Sequence, residues 1–116
     1  MMNDRNYPWF ILVPDRENIQ EIYQLDNKDQ ALLASESSYL SQKLAHRLKA
    51  DKMNIAALGN VVPQLHVHHI VRYTSDPAWP EPVWGKVPAK AYDKQGIRLM
   101  KIKLRQVLSE KEFHFT

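Results

Sequence analysis

The chain has 116 residues, of which 44% are hydrophobic and 25% charged, and it contains no cysteine. This length suits one domain with its own core, and the lack of cysteine excludes disulfides, thiolate metal sites and cysteine nucleophiles. The formal net charge of +3 is too small for a nucleic-acid-binding surface, and no apolar run approaches the ~20 residues that span a bilayer. We therefore expect a single cytoplasmic domain over residues 1–116 that binds neither nucleic acid nor membrane.

The first half of the chain predicts one strand and one long helix. The apolar run 10–13 is bounded by prolines, which is typical of a buried strand. Residues 19–25 are long enough only for a short helical turn. The stretch 28–50, with Asp26 or Asn27 as N-cap, lacks Pro and Gly, and its leucines recur at spacings of four and seven. This spacing predicts an amphipathic helix.

The second half predicts a pair of strands, an irregular segment and a second helix. Residues 53–58 and 64–73 are expected to form antiparallel strands joined by a turn at Gly59 and Asn60. Prolines and tryptophans dominate residues 74–88, which excludes a regular helix or a central strand there. Apolar residues spaced among lysines and arginines then predict a C-terminal amphipathic helix at about residues 96–112.

The second predicted strand carries the most informative pattern in the chain. Successive strand residues point to opposite faces, so Gln64, His66 and His68 are expected on one face, opposite Leu65 and Val67. Imidazole can act as nucleophile, acid or base near neutral pH. Two imidazoles on a stiff strand therefore indicate a chemical site.

The stretch 54–68, Asn-Ile-Ala-Ala-Leu-Gly-Asn-Val-Val-Pro-Gln-Leu-His-Val-His, resembles the signature of the histidine triad (HIT) family of nucleotide hydrolases and transferases. Together with the upstream strand and helix and the Pro/Trp-rich segment, the resemblance covers residues 3–85 and is strongest to a bacterial diadenosine tetraphosphate hydrolase-like subgroup. It implies an α+β fold, with a mainly antiparallel sheet, one long central helix and a C-terminal helix. It also implies a homodimer.

The resemblance implies a role for each matching residue. His66 would attack an α-phosphate to form a nucleotidyl-histidine, and His68 would donate a hydrogen bond to the phosphate or leaving group. Gln64 takes the place of the first, orienting histidine. Asn54, Gly59 and Asn60 would contact the nucleotide, and the reaction in this family needs neither a metal nor another cofactor. The implied ligand is a purine nucleotide, a nucleoside phosphoramidate or a dinucleoside polyphosphate.

Several positions depart from the family pattern. Gln64 cannot relay a proton, Asn60 stands where a glutamine usually reaches the leaving group, and Val61 lacks a hydroxyl that some members have. The turn after Pro14 lacks a common histidine, and the chain begins so close to Phe10 that a leading hairpin is expected to be absent or short. Nucleotide binding should survive these changes better than catalysis.

Three other interpretations remain open. A half-exposed strand could carry His66 and His68 without any function, and His69 is expected to be a packed or surface residue on the other face. A His-X-His pair could bind a metal, although the remaining histidines, His46 and His114, show no ligand spacing. A binding or regulatory module of the same fold could have lost turnover. The tryptophans of segment 74–88 are expected to pack against the sheet or a partner rather than to stack on a nucleobase.

Overall fold

The structure is a computed structural model that describes residues 1–108 and 113. Its elements are β1 (Trp9–Leu12), a 3₁₀ turn (Ile22–Gln24), α1 (Asn27–Leu48), β2 (Lys52–Ala56), β3 (Val67–Arg72) and α2 (Lys94–Val107). The predicted α+β class is confirmed, and the predicted helix residues 109–112 lie outside the described residues. Within residues 1–108 and 113, no helix is both long and apolar enough to cross a membrane.

The sheet has three antiparallel strands in the order β1, β3, β2. The central strand β3 is buried along its whole length, with His68 opposite Ile11 on β1 and Ala56 on β2. The predicted strand over residues 64–73 was too long, since β3 begins only at Val67. Residues 57–66 form an irregular connection instead of a tight hairpin. Pro63 within this connection has no N–H to donate to a strand ladder.

The long helix α1 covers one face of the sheet. Its N-terminus is capped as predicted, because the Asp26 carboxylate accepts a hydrogen bond from the Asp29 N–H at 2.7 Å. Buried leucines on its inner side pack with one residue from each of two strands, in a cluster that includes Leu40, Leu44, Phe10 and Val71. The predicted amphipathic helix is therefore confirmed, and its buried residues are Leu33, Leu40 and Leu44.

The opposite face of the sheet is covered by segment 74–88 rather than by a helix. Ala78 and Val83 of this segment are buried in one cluster with Tyr7, Trp9 and Ile70. The expectation that the Pro/Trp-rich segment packs against the sheet is thus confirmed. This arrangement leaves β3 between a helix on one side and an irregular segment on the other, which explains why none of its residues is exposed.

A buried ion pair fixes segment 74–88 to the end of β3. Arg72 is 1% exposed, and its guanidinium donates to both carboxylate oxygens of Asp76, at 2.8 and 3.0 Å. The same guanidinium donates to Asn54 Oδ1 at 2.6 Å and to the Glu81 carbonyl at 2.9 Å. It also lies over the ring of Trp79, 5.5 Å from the centroid. All three nitrogens of this cation therefore donate to a partner.

Asp76 completes the turn in which segment 74–88 begins. Its carboxylate accepts from the N–H groups of Tyr73, Ala78 and Trp79, at 3.1, 3.1 and 2.8 Å. Burial acts to raise the pKa of the Asp76 carboxyl, but the hydrogen bonds and charge of Arg72 and the N–H groups of Tyr73 and Ala78 outweigh it and lower the pKa. Asp76 is therefore held as a carboxylate that organises both the Arg72 side chain and the local main chain.

His69 is a packed structural residue. The sequence allows either a packed or a surface position for it, and the structure shows the packed one. It is 0% exposed, its Nδ1 lies 3.1 Å from the Val67 carbonyl oxygen, and its Nε2 lies 2.7 Å from Ser37 Oγ on α1. Since a carbonyl can only accept, Nδ1 carries the proton and Nε2 accepts from the Ser37 hydroxyl. Burial lowers the pKa of His69 below its ordinary value, the Val67 carbonyl opposes this effect, and the nearby His68 adds to it.

Removing the Asp76 carboxylate should strongly destabilise the fold. Asp76→Ala leaves the Arg72 cation buried without its counter-charge, which costs about 3–5 kcal/mol in comparable buried pairs. Urea unfolding measures this change. Glu81→Ala is the matched control, because it removes an exposed ion pair with Lys86 in the same segment and should cost about 0–1 kcal/mol. Equal losses in the two variants would contradict the structural role given to Asp76.

His69 should make stability fall as the solution is acidified. Because the pKa of His69 is lower in the folded chain than its ordinary value of 6.5, the unfolded chain binds the proton first. The stabilisation is therefore complete above that ordinary value and is lost as the pH falls toward the folded-state pKa. His69→Gln should show a smaller drop in unfolding free energy between about pH 7.5 and pH 5 than the parent chain. An unchanged drop would contradict this assignment.

Candidate active site

His66 and His68 form the centre of the candidate site. Their ring centroids are 5.1 Å apart and the rings meet edge to face at 71°. His68 lies on β3 and is 7% exposed, whereas His66 lies just before the strand and is half-buried. The sequence-based expectation that the two imidazoles project together is met. Only His68 is held by the sheet ladder, because β3 begins at Val67.

A main-chain carbonyl orients the His66 ring. The Nδ1 atom of His66 lies 2.7 Å from the carbonyl oxygen of Gln64. A carbonyl can only accept a hydrogen bond, so Nδ1 must carry the proton. In the neutral ring, Nε2 then has the free lone pair. His66 therefore presents a nucleophilic nitrogen at the end of the ring that points away from its own main chain.

The His68 ring is held in the opposite tautomer. The indole Nε1 of Trp9 lies 2.9 Å from His68 Nδ1, and an indole N–H can only donate. Nδ1 of His68 is therefore the acceptor, and the proton of the neutral ring lies on Nε2. Burial lowers the pKa of His68, and the neighbouring His66 lowers it further. The pair thus offers a lone pair on Nε2 of one ring and a proton on Nε2 of the other.

Two tryptophans enclose the His68 ring. Trp9 and Trp84 contact it edge to face, with centroid distances of 5.7 and 5.3 Å, and they contact each other at 5.5 Å. Trp9 is 5% exposed, whereas Trp84 is 39% exposed and forms the outer wall of this group. The wall is contributed by segment 74–88, which depends on the Arg72–Asp76 ion pair for its position.

Gln64 contributes its main chain rather than its side chain to the histidine pair. Its carbonyl oxygen bonds to His66, but its side-chain amide donates to the Arg16 carbonyl at 3.4 Å. The residue type at this position can therefore change without removing the contact that orients His66. The departure of Gln64 from the family pattern accordingly leaves the His66 ring with its orienting partner.

The three residues expected to contact a nucleotide occupy different surroundings. Asn54 lies on β2, where its side-chain oxygen accepts from Arg72 at 2.6 Å. Gly59 and Asn60 lie in the exposed connection between β2 and β3, and Gly59 has a φ of 67° that favours glycine. In this structure Asn54 is thus engaged with Arg72, and Gly59 shapes the connection that leads toward the histidines.

A cavity of the fold lies away from the histidine pair. It has a volume of about 700 Å³ and lies between β1, α1 and α2, lined by residues such as Leu12, Leu33 and Leu104 but by neither His66 nor His68. No three His, Asp or Glu side chains within residues 1–108 and 113 are grouped so that they could hold a metal ion. His114, named in the metal hypothesis, lies outside the described residues.

Three residues that contribute to the site, Trp9, Arg72 and Asp76, are not identified as such from the sequence. The sequence does not assign Trp9 to the site, because its bond to His68 depends on the β1–β3 register. For Arg72 and Asp76 the sequence does contain an indication. An arginine at the end of an apolar strand, with an aspartate and a proline shortly after it, indicates a buried cation with a nearby partner.

Comparison with known proteins identifies the family. A model described as "HIT domain" matches residues 1–75. A histidine triad protein from Marinobacter aquaeolei VT8 is 52% identical, with a TM-score of 0.87, over 93% of this chain and 82% of that one.

Two further solved structures are similarly close. A histidine triad protein from Bradyrhizobium japonicum is 49% identical, with a TM-score of 0.88, over 91% of this chain and 79% of that one. One from Sinorhizobium meliloti 1021 is 44% identical, with a TM-score of 0.89, over 93% of this chain and 80% of that one. Comparison with curated protein sequences gives no match. The family model covers well over half of the chain and includes both histidines of the site, so the chain belongs to the HIT family.

Proposed function

We propose that this protein is a nucleotide hydrolase or nucleotidyl transferase that acts through a nucleotidyl-His66 intermediate. Its substrate would be a nucleoside phosphoramidate or a dinucleoside polyphosphate with a purine base, as in the diadenosine tetraphosphate hydrolase-like subgroup. The observation that carries the proposal is the pair of opposite tautomers, a lone pair on His66 Nε2 beside a proton on His68 Nε2, with ring centroids 5.1 Å apart.

In the first step, Nε2 of His66 forms a bond to the α-phosphorus while the bond from phosphorus to the leaving group breaks. Phosphorylated at Nε2 and protonated at Nδ1, the His66 ring becomes positively charged. The Gln64 carbonyl, 2.7 Å from Nδ1, stabilises that charge. His68 donates from Nε2 to the phosphate, where negative charge develops.

In the second step, water forms a new bond to phosphorus and the P–Nε2 bond breaks. The electron pair returns to Nε2 of His66, and a water proton is released to solvent. His66 leaves as the same neutral tautomer that began the reaction, because Nδ1 keeps its proton throughout. Dividing the displacement into two steps is the advantage of covalent catalysis.

Replacement of His66 tests this function directly. His66→Ala should lower kcat/KM for diadenosine tetraphosphate or adenosine 5′-phosphoramidate by at least about 10³-fold, since the nucleophile is lost, while nucleotide binding is retained. Turnover is followed by release of AMP, and binding by calorimetry. Mass spectrometry of the parent chain quenched during turnover should show an added nucleotidyl group on His66.

Two further variants serve as comparisons for His66→Ala. His46→Ala removes an exposed histidine on α1 and should leave kcat/KM unchanged. Gln64→Ala should keep kcat/KM within about tenfold, because the main-chain carbonyl that orients His66 remains. If the parent chain binds nucleotide but turns over neither substrate, the result would instead support a binding or regulatory module of the same fold.

The proposal includes a homodimer. β2 is an edge strand of the described sheet, and apolar side chains are exposed on it and on the following connection: Ile55, Leu58, Val61 and Val62, of which Val61 is 92% exposed. Exposed apolar side chains of this kind are typical of association surfaces.

Substitution of these side chains tests the homodimer. Light scattering should give a dimer for the parent chain and a monomer for the double variant Val61→Glu, Val62→Glu. Leu99→Glu, at an exposed position of α2, is the control and should stay dimeric. A monomeric parent chain would refute this part of the proposal.

A further inference from the structure

Trp9 stands in a fixed and unusual relation to His68. Its indole N–H donates to His68 Nδ1 at 2.9 Å in a buried hydrogen bond. Trp9 itself is held by β1, whose register with β3 places Trp9 opposite Ile70 and Ile11 opposite His68. The ring of Trp9 also packs against Tyr7, at 6.4 Å, and against Trp84, at 5.5 Å. The donor therefore has little freedom to turn away.

The donor on Trp9 limits which protonation states His68 can adopt. A second proton on the ring would have to lie on Nδ1, where it would face the indole N–H, so two donors would oppose each other in a buried position. Burial and the neighbouring His66 also lower the pKa of His68. The other groups that face it are Trp84, Ile11 of β1 and Ala56 of β2, and none of them titrates.

The next charges along the same strand are already paired. Arg72, four residues beyond His68, is bound to the carboxylate of Asp76. His69 points to the opposite face, where it bonds to Ser37. Within the described residues, His66 is thus the titratable group that acts on His68 from within the site. Burial and His66 lower the pKa of His68, and Trp9, which cannot change its own charge, fixes Nδ1 as the acceptor nitrogen of the ring.

We propose that Trp9 is a positioning residue that confines His68 to hydrogen-bond donation and excludes it from proton transfer, so that turnover selects leaving groups that depart as stable anions. This inference rests on the proposed function, since it concerns the same nucleotidyl transfer to His66. It goes further by naming the substrate class that the site favours, of the two proposed, and by identifying Trp9 as the residue that causes this preference.

The selection follows from where the electron pair goes when the bond to phosphorus breaks. In a phosphoanhydride the pair stays on a phosphate oxygen, and a phosphate group with a second pKa of about 6 departs as an anion that needs only a hydrogen bond. In a phosphoramidate the pair stays on nitrogen, and an amine whose conjugate acid has a pKa near 10 must gain a proton to depart. Neutral His68 could supply that proton only by becoming an imidazolate. Dinucleoside polyphosphates are therefore favoured over phosphoramidates.

The tautomer is measured first, without any substrate. In ¹⁵N spectra of the parent chain, His68 should carry its proton on Nε2, with Nδ1 unprotonated, down to a pH below the ordinary histidine range. Trp9→Phe removes the donor, so His68 should take up a proton on Nδ1 at higher pH. Trp84→Phe is the matched control, because Trp84 contacts the same ring without a hydrogen bond, and it should leave the His68 tautomer unchanged.

The leaving-group selection is measured next, with diadenosine tetraphosphate and adenosine 5′-phosphoramidate. The parent chain should have the higher kcat/KM for the anhydride. Trp9→Phe should raise the ratio of phosphoramidate to anhydride kcat/KM by at least about tenfold, since positioned proton transfer becomes available. A loss of fold alone would lower both rates together and would not change this ratio.

A second replacement guards against a folding defect in Trp9→Phe. Benzothienylalanine at position 9 keeps the shape of the indole and replaces its N–H by sulfur, so it should reproduce both the tautomer change and the ratio change. Protonation of His68 on Nδ1 in the parent chain, or an unchanged tautomer and ratio in both replacements, would overturn the inference. If the parent chain turns over neither substrate, the proposed function and the leaving-group selection fail, while the tautomer measurement still decides the positioning role of Trp9.

Discussion

The ion pair between Arg72 and Asp76 is the interaction on which the candidate site depends most. It joins the end of the central strand to segment 74–88, which contains main-chain turns but no helix or strand. A buried guanidinium is costly unless its charge and its N–H groups are all satisfied. Here Asp76 balances the charge, and Asp76, Asn54 and the Glu81 carbonyl accept four hydrogen bonds from the guanidinium, so the cation fixes one geometry of the segment. Trp84, the outer wall beside His68, is positioned as a consequence.

The central strand gives neighbouring histidines opposite surroundings. His69 faces α1, where a carbonyl and a hydroxyl satisfy both of its nitrogens and leave it no role beyond packing. His68 faces segment 74–88, where one nitrogen bonds to Trp9 and the other is left for a ligand. The separation follows from the alternation of side chains along a strand. A shift of register by one residue would turn His68 toward α1 and His69 toward segment 74–88. Because β3 is buried on both faces, such a shift is prevented.

The sequence predicted the features that depend on local periodicity and missed those that depend on pairing across the sheet. The leucine spacing of α1, its Asp26 cap and the proximity of His66 to His68 are local patterns, and each was identified. The bond from Trp9 to His68 joins residues 59 positions apart, and only the β1–β3 register brings them together. The start of β3 was misplaced because alternation continues through Gln64 and His66, although Pro63 and the long connection keep them out of the ladder.

The replacement of the family's first histidine by Gln64 has a smaller effect on His66 than the sequence suggests, because the contact that orients His66 comes from the main chain. Any residue at position 64 presents the same carbonyl, provided the backbone keeps its path. What a histidine would add there is a titratable side chain, and the Gln64 side chain instead bonds to the Arg16 carbonyl. Both rings of the candidate site are then oriented by partners that cannot titrate, a carbonyl for His66 and an indole N–H for His68. The complementary tautomers therefore follow from the fold. The side-chain pattern in the sequence indicates where the two histidines lie, but not the partners that set their tautomers.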